Sequence, residues 1–274
     1  KYDFPNDGYQ GLYIKKIAKK IINKYGKNLN TNSSKFIKEA ENIIFNQIKS
    51  TLKILGINFD QFTNEKTFYE NGDIQKLLLK LTKKNLIYKK EGATWFKASA
   101  LGKNKDKVYI KKSGEPTYRV PDTAYHKNKI ERGFDLIIDI FGTDHADAYP
   151  DVLCALNALD IKTDHIKVLL YQFVTLLKNG KKYKMSTRKA NFITIDELIQ
   201  EIGPDVIRYF FIMRSMNTHL DFDLNLAKDQ SEKNPVFYLQ YAYARISNII
   251  KRSTKINLNT TKQYKLLSHP KEIE

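Results

Sequence analysis

Three cations, Lys184, Arg188 and Lys189, share the stretch Lys184-Met185-Ser186-Thr187-Arg188-Lys189-Ala190-Asn191-Phe192, directly behind Lys178-Asn179-Gly180-Lys181-Lys182. Like charges held this close repel one another and gain little from a core, so the stretch is best suited to holding an anion. A polyphosphate fits, because lysine offers a mobile point charge and arginine a planar fork of donors. A solvated surface loop is the competing reading of so many lysines. Ser186 has no elbow motif around it and no histidine nearby in sequence, and no glycine loop ending in Lys-Ser or Lys-Thr occurs.

Two other groups have chemical potential. Tyr118 and Asp122 lie four apart at a turn into a predicted helix. The carboxylate could pair with a guanidinium while the ring offers a face or a hydroxyl. The alternative makes Asp122 the cap of the helix it begins and Tyr118 a core residue, and spacing alone favours it. Gly142-Thr143-Asp144-His145 ends an apolar run and enters a helix. Glycine there would let a nucleotide approach the backbone, and the helix start would hold a ribose or an α-carboxylate. A plain strand-to-helix turn capped by Asp144 stands beside that reading. Metal ligation by His145 with Asp144 and Asp147 has little to support it.

The elements that must position these residues follow from periodicity. Apolar residues at helical spacing predict helices from Leu12 to Tyr25, from Ser34 to Leu55, and through Ile74, Leu77, Leu78 and Leu81 to about Asn85. Residues 58–71 are a loop or a short helix. Beyond Leu86, Ala93 to Ala98 and Val108 to Lys112 suggest β-structure. A helix opens across Thr117 to Asp122 and is closed by Gly133. The run from Phe134 to Phe141, apolar but for two aspartates, predicts a strand covered on both faces, and Ile166 to Leu177 the next strand. Strand, helix, strand is the pattern of a parallel α/β sheet, whose ligands gather at the carboxyl ends of strands. Gly142 to His145 and the basic stretch 178–189 are thereby predicted on one edge of one sheet. Thr194 to Glu197 reads as a capping box, Pro204 opens a further helix, and 217–223 reads as an exposed connection. A last helix from Asn234-Pro235 should turn Val236, Leu239, Tyr243, Ile246 and Ile250 inward.

The 274 residues can bury a sizeable core, and 47 Lys and Arg against 30 Asp and Glu give a formal charge of +17. A polyanionic partner such as nucleic acid is plausible on that balance, although lysine used as a common surface residue accounts for part of it. The single Cys154 rules out an internal disulfide and a thiolate-rich zinc site. No apolar run approaches the ~20 residues of a spanning helix. A cytoplasmic protein without structural metal is the expectation.

The motifs resemble those of the class I aminoacyl-tRNA synthetases. Lys184 to Lys189 is similar to the second class I signature in the form used by arginyl-tRNA synthetases. Asp7-Gly8-Tyr9-Gln10-Gly11, Gly92-Ala93-Thr94-Trp95-Phe96, Thr117 to His126, Gly142 to His145, and Asn234-Pro235 with Gln240 to Arg245 resemble blocks of that family in their usual order. The resemblance covers nearly the whole chain. It implies an α/β fold carrying the second half of a Rossmann-type parallel sheet, with a largely helical insertion (1–90), a catalytic half-domain (91–200), a helical connection (201–233) and the start of an all-helical anticodon-binding domain (234–274). It further implies ATP with Mg2+, L-arginine and transfer RNA for arginine as ligands, and a monomer in full-length form. Tyr118, Asp122 and His145 would recognise arginine. Gly142, Asp144, Lys184, Met185, Ser186 and Lys189 would meet ATP, with Lys184, Ser186 and Arg188 catalytic. Tyr238, Tyr241 and Arg245 would face RNA. Ala190 stands where the family usually has glycine, and the first, histidine signature is not found. The chain is therefore expected to be the middle of a longer enzyme, with little aminoacylation activity alone. A non-catalytic basic RNA-binding module and another class I synthetase are the alternatives.

Overall fold

The computed structural model describes residues 8, 11–30, 33–183, 185, 192–253 and 269–273. Two antiparallel helices come first, α1 (Leu12–Tyr25) and α2 (Ser34–Ile54), followed by the short α3 (Lys66–Glu70) and by α4 (Asp73–Lys83). Ser33 caps α2, accepting from the Lys35 amide. The α2 stripe through Ile37, Ile44 and Ile48 is exposed rather than buried; Ile44 and Ile48 line an apolar groove of about 430 Å³ with Tyr13.

Strands β1 (Ile87–Lys90), β2 (Ala93–Phe96) and β3 (Lys107–Ile110) form an antiparallel sheet in that order. The sequence pattern missed β1, because Ile87 and Tyr88 are followed at once by two exposed lysines. The first core lies here: Phe96 stacks on Tyr109 at 4.8 Å, and both pack with Leu77, Leu81, Val120 and Ala155. The latter two residues come from α5 (Arg119–Glu131) and α6 (Tyr149–Ala158), so the sheet and α4 are welded to the elements that carry Tyr118 and Asp122.

Strand β4 (Ile137–Gly142) pairs in parallel with β5 (Ile166–Tyr171), Gly142 opposite Tyr171. Contrary to expectation, β4 is not covered on both faces: Ile137 and Asp139 are buried while Ile138 and Ile140 are 52% and 64% exposed. Period-two alternation means only one face finds a partner among the described residues. The apolar run 166–177 is also not one strand. It breaks at Gln172, whose amide donates to the Met216 carbonyl, and resumes as β6 (Val174–Lys178) in a second sheet.

In that sheet β6 pairs in parallel with β8 (Leu220–Asp223) and antiparallel with β7 (Lys181–Lys182). The expected exposed connection at 217–223 therefore contains a strand, with Leu220 and Phe222 buried, Asp221 between them outward, and Asp223 capping the helix that follows. Asn179 and Gly180 join β6 to β7 with φ of 53° and 69°, the positive pair that a two-residue hairpin turn demands. The basic segment 178–182 is thus a hairpin, and it lies in a different sheet from Gly142. Among the described residues the single-sheet edge expected from the sequence is not formed.

Helix α7 (Ile195–Ile202) starts with the complete capping box of Thr194 and Glu197. Gly203, at φ 80° and ψ 160°, bends the chain into α8 (Pro204–Ile212), a conformation closed to residues with a Cβ. The second core, Leu176, Leu198, Ile207, Phe210 and Phe222, packs these helices and α9 (Leu224–Lys228) on the sheet. A polar latch ties α2 to the start of α7: Thr51 and Gln47 both donate to the Asp196 carboxylate, Gln47 Nε2 at 2.8 Å. Asp196→Ala removes both acceptors and is expected to lower stability by about 1–3 kcal/mol, measured by thermal unfolding.

Helix α10 (Pro235–Ser253) is anchored by buried Val236 and by Asn234, whose side chain donates to the Ala227 and Asp229 carbonyls. Its expected inward stripe is otherwise solvent-facing, with Leu239, Tyr243, Ile246 and Ile250 all at least half exposed. Beyond its first turn the helix has little packed against it among the described residues.

Candidate active site

Thr117 fixes the entry to α5 by donating its amide to the Tyr109 carbonyl and its hydroxyl to the Val108 carbonyl. The helix that follows places Asp122 inside its first turn, since the residue at the cap position is Tyr118 and no side chain caps the helix. The capping reading of Asp122 is therefore wrong, as is that of Tyr118 as core: its ring is 55% exposed. Asp122 is half-buried, and its carboxylate makes no hydrogen bond or ion pair among the described residues. Burial pushes its carboxyl above the ordinary carboxylate range, against the pull of His126, His145, Lys129 and Arg119. A half-buried carboxylate without an ion pair among the described residues has the chemistry to accept a cation that arrives from outside.

Tyr118 is held by its neighbour. The Arg119 guanidinium lies 4.8 Å from the ring centroid, and Arg119 Nε donates to Asp151 Oδ2 at 2.9 Å. Lys107 Nζ reaches the same oxygen at 3.1 Å. Asp151 is buried at the start of α6, so this three-membered cluster pins β3, α5 and α6 together beneath the ring.

Gly142 ends β4 and enters a single 3-10 turn, Thr143–His145; α6 begins only at Tyr149. Asp144 caps neither element. A Cβ at residue 142 would meet the Asp144 carboxylate, the free end of an exposed side chain that can swing aside. His145 stacks on Phe141 with centroids 5.4 Å apart, and it is among the groups that draw the Asp122 carboxyl down. Tyr118 and Asp144 line one open cleft of about 650 Å³, together with Lys103, Lys105 and Arg119. Strand end, 3-10 turn and helix entry thus bring Tyr118, Asp122, Asp144 and His145 into one region. Among the described residues no three His, Cys, Asp or Glu side chains gather to hold a metal.

Met185 is exposed. Lys184, Ser186, Arg188 and Lys189 lie outside the described residues. Their downstream neighbour Phe192 meets Tyr13 of α1 edge to face, with centroids 6.4 Å apart.

The family described as tRNA synthetases class I (R), catalytic domain, matches residues 5–208. The chain belongs to the class I arginyl-tRNA synthetase family. It is 49% identical over 255 residues to the arginine–tRNA ligase of Desulfotalea psychrophila, covering 92% of this chain and 46% of that protein. With the arginine–tRNA ligase of Salinibacter ruber it shares 47% identity over 274 residues, covering 98% and 49%. It superimposes on a solved Campylobacter jejuni structure with a TM-score of 0.81 and 32% identity, over 96% of this chain and 60% of that one. The Thermus thermophilus arginyl-tRNA synthetase shares the fold, at a TM-score of 0.62 and 17% identity over 83% and 48% of the two chains. This chain spans about half the length of the curated relatives it matches.

Sequence reasoning overlooked His126, Lys129 and Asp139, buried behind Asp122, and Asp151 with Lys107 and Arg119. The available signal was the aspartate at an inward position of β4, which a buried strand does not tolerate unpaired.

Proposed function

We propose that the protein of which this chain is part activates L-arginine with ATP and transfers it to transfer RNA for arginine. The half-buried carboxylate of Asp122, which makes no hydrogen bond or ion pair among the described residues, carries this reading. An arginine guanidinium placed there forms a charge-assisted, two-pronged pair, while the Tyr118 ring and the exposed His145 complete the walls. Gly142 and Asp144 face the adenosine side of the same cleft. Lys184, Ser186 and Arg188, with Met185 and Lys189, meet the triphosphate, which brings Mg2+ with it as part of the substrate.

The arginine carboxylate attacks the α-phosphate in line, forming the acyl–phosphate bond of arginyl-adenylate as the bond to pyrophosphate breaks. Attack by a hydroxyl of the RNA's terminal ribose then releases AMP. No protein nucleophile is needed; positioning and stabilisation of the charge on the leaving pyrophosphate supply the rate. Lys184→Ala and Arg188→Ala are each expected to lower arginine-dependent pyrophosphate exchange by about 10² to 10³-fold, with arginine binding retained in equilibrium dialysis.

Helix α10 opens the RNA-binding helical domain in this reading. Tyr238 and Tyr241 are exposed, and Arg245 donates to the Tyr241 hydroxyl at 2.6 Å, which stiffens a surface suited to base stacking and phosphate contact. The exposed stripe of Leu239, Ile246 and Ile250 is a seam for further helices of that domain. Residues 1–90 form the insertion, 91–200 the catalytic half-domain and 201–233 the connection. The enzyme acts as a cytoplasmic monomer; among the described residues no helix is long and apolar enough to cross a membrane.

A further inference from the structure

Three ionisable side chains that the reaction does not use are buried together behind Asp122: His126, Lys129 and Asp139 are 4%, 8% and 7% exposed. His126 Nδ1 lies 2.8 Å from the Asp122 carbonyl oxygen and Nε2 lies 2.9 Å from Asp139 Oδ2. Both neighbours offer acceptor oxygens to the ring, one on each side. Lys129 Nζ donates to the other Asp139 oxygen and sits 5.0 Å from the Tyr125 ring centroid. Burial raises the Asp139 carboxyl, but the hydrogen bonds from His126 and Lys129 outweigh it and hold the group below its ordinary range. His126 and Lys129 thus share the single Asp139 carboxylate.

A buried ionic cluster is a poor way to gain stability, because desolvation consumes most of the attraction. The position of this one suggests another use. It joins α5, which carries Asp122, to β4, which leads into Gly142 to His145, and it grips the backbone of Asp122 itself. We infer that His126, Lys129 and Asp139 are positioning residues: they fix the Asp122 carbonyl and supply the positive field that keeps its buried carboxylate ionised for a cationic substrate. This rests on the reading that Asp122 receives the guanidinium. The charged groups acting on Asp122 are Arg119, His126 and Lys129 from α5 and His145 from the turn after β4, with Asp139 of β4 screening from behind.

The test measures arginine-dependent pyrophosphate exchange against pH in the full-length protein, with the cognate RNA present, for His126→Gln, Lys129→Met and Asp122→Asn. Lys129→Met removes a positive charge from the cluster, and His126→Gln removes the ring that spans Asp122 and Asp139. Both are expected to move the acid limb of kcat/KM for arginine upward by roughly one pH unit and to raise KM for arginine about tenfold, with KM for ATP unchanged. A fall in melting temperature with the acid limb and KM for arginine unmoved would mean the cluster is only a structural brace, and would overturn the inference. If His126→Gln does not fold, Lys129→Met decides alone. Should Asp122→Asn leave KM for arginine unchanged, the site reading itself fails; should it raise KM while the other two variants do not, only this inference fails.

Discussion

Replacing Asp122 by asparagine in the full-length protein is expected to lower kcat/KM for arginine by about 10² to 10³-fold while leaving thermal stability unchanged or raised. The loss follows from the substrate: a guanidinium that has shed its water needs a full negative charge opposite, and a neutral amide returns only part of the hydrogen bonding. The stability half follows from linkage. Burial raises the Asp122 carboxyl in the folded protein, so the folded state binds the proton more tightly than the unfolded one does. Its contribution to stability is greatest at low pH and declines as pH rises from the unfolded carboxylate pKa through the raised folded one. At neutral pH the ionised group opposes folding, and asparagine removes that opposition. A site that costs stability without its ligand is the signature of binding chemistry rather than of a brace. Arginine-dependent kinetics and thermal unfolding, run on the same preparation, check both halves.

Asp151→Ala should have the opposite profile. The Asp151 side chain is 4% exposed, and it accepts from Lys107 and Arg119, each 17% exposed. Its removal leaves two cations largely out of water with no counter-charge, which is expected to cost about 3–5 kcal/mol. Urea denaturation followed by far-UV circular dichroism reads the loss. Since the cluster joins β3, α5 and α6 beneath Tyr118, activity should fall with unfolding, and only modestly under conditions where the variant stays folded. Pairing Asp151→Leu with Arg119→Met and Lys107→Met should recover much of the stability, because apolar side chains of similar volume replace a buried ion cluster at little cost.

The helices α1, α2, α4 and α5 were legible because their apolar spacing, Gly26, Gly56 and Gly133 agree on where each one stands and stops. The capping box at Thr194 and Pro204 at the start of α8 were read for the same reason: local chemistry settles them. Strands were harder. The 166–177 run gives no sign that Gln172 will hand its amide to Met216, a contact 44 residues away, and so splits between two sheets. The alternation of Leu220 and Phe222 was masked by the aspartates that follow each of them. The stripe of α10 is a true helical stripe, but periodicity says only that a face is apolar, not what covers it.

At the site, residue types singled out Tyr118 with Asp122 and, separately, Gly142 to His145 as candidates, while spacing favoured a cap at Asp122 that the structure does not form. Capping depends on which residue takes the half-in position, and Thr117, tied to β3, puts Tyr118 there instead of Asp122. The partners His126 and Lys129 were in plain view one turn and two turns along the same helix. Their role emerges only when β4 delivers Asp139 between them, a pairing 10 and 13 residues apart in the chain.

The central claim is that this cleft selects a cationic guanidinium and joins its carboxylate to ATP. The direct test is pyrophosphate exchange by the full-length protein with the cognate RNA, offering L-arginine and L-citrulline, its neutral near-isostere, in parallel. Robust exchange with arginine and at least ~10²-fold less with citrulline is the predicted result. Equal exchange with both amino acids, or none with arginine, would contradict the account.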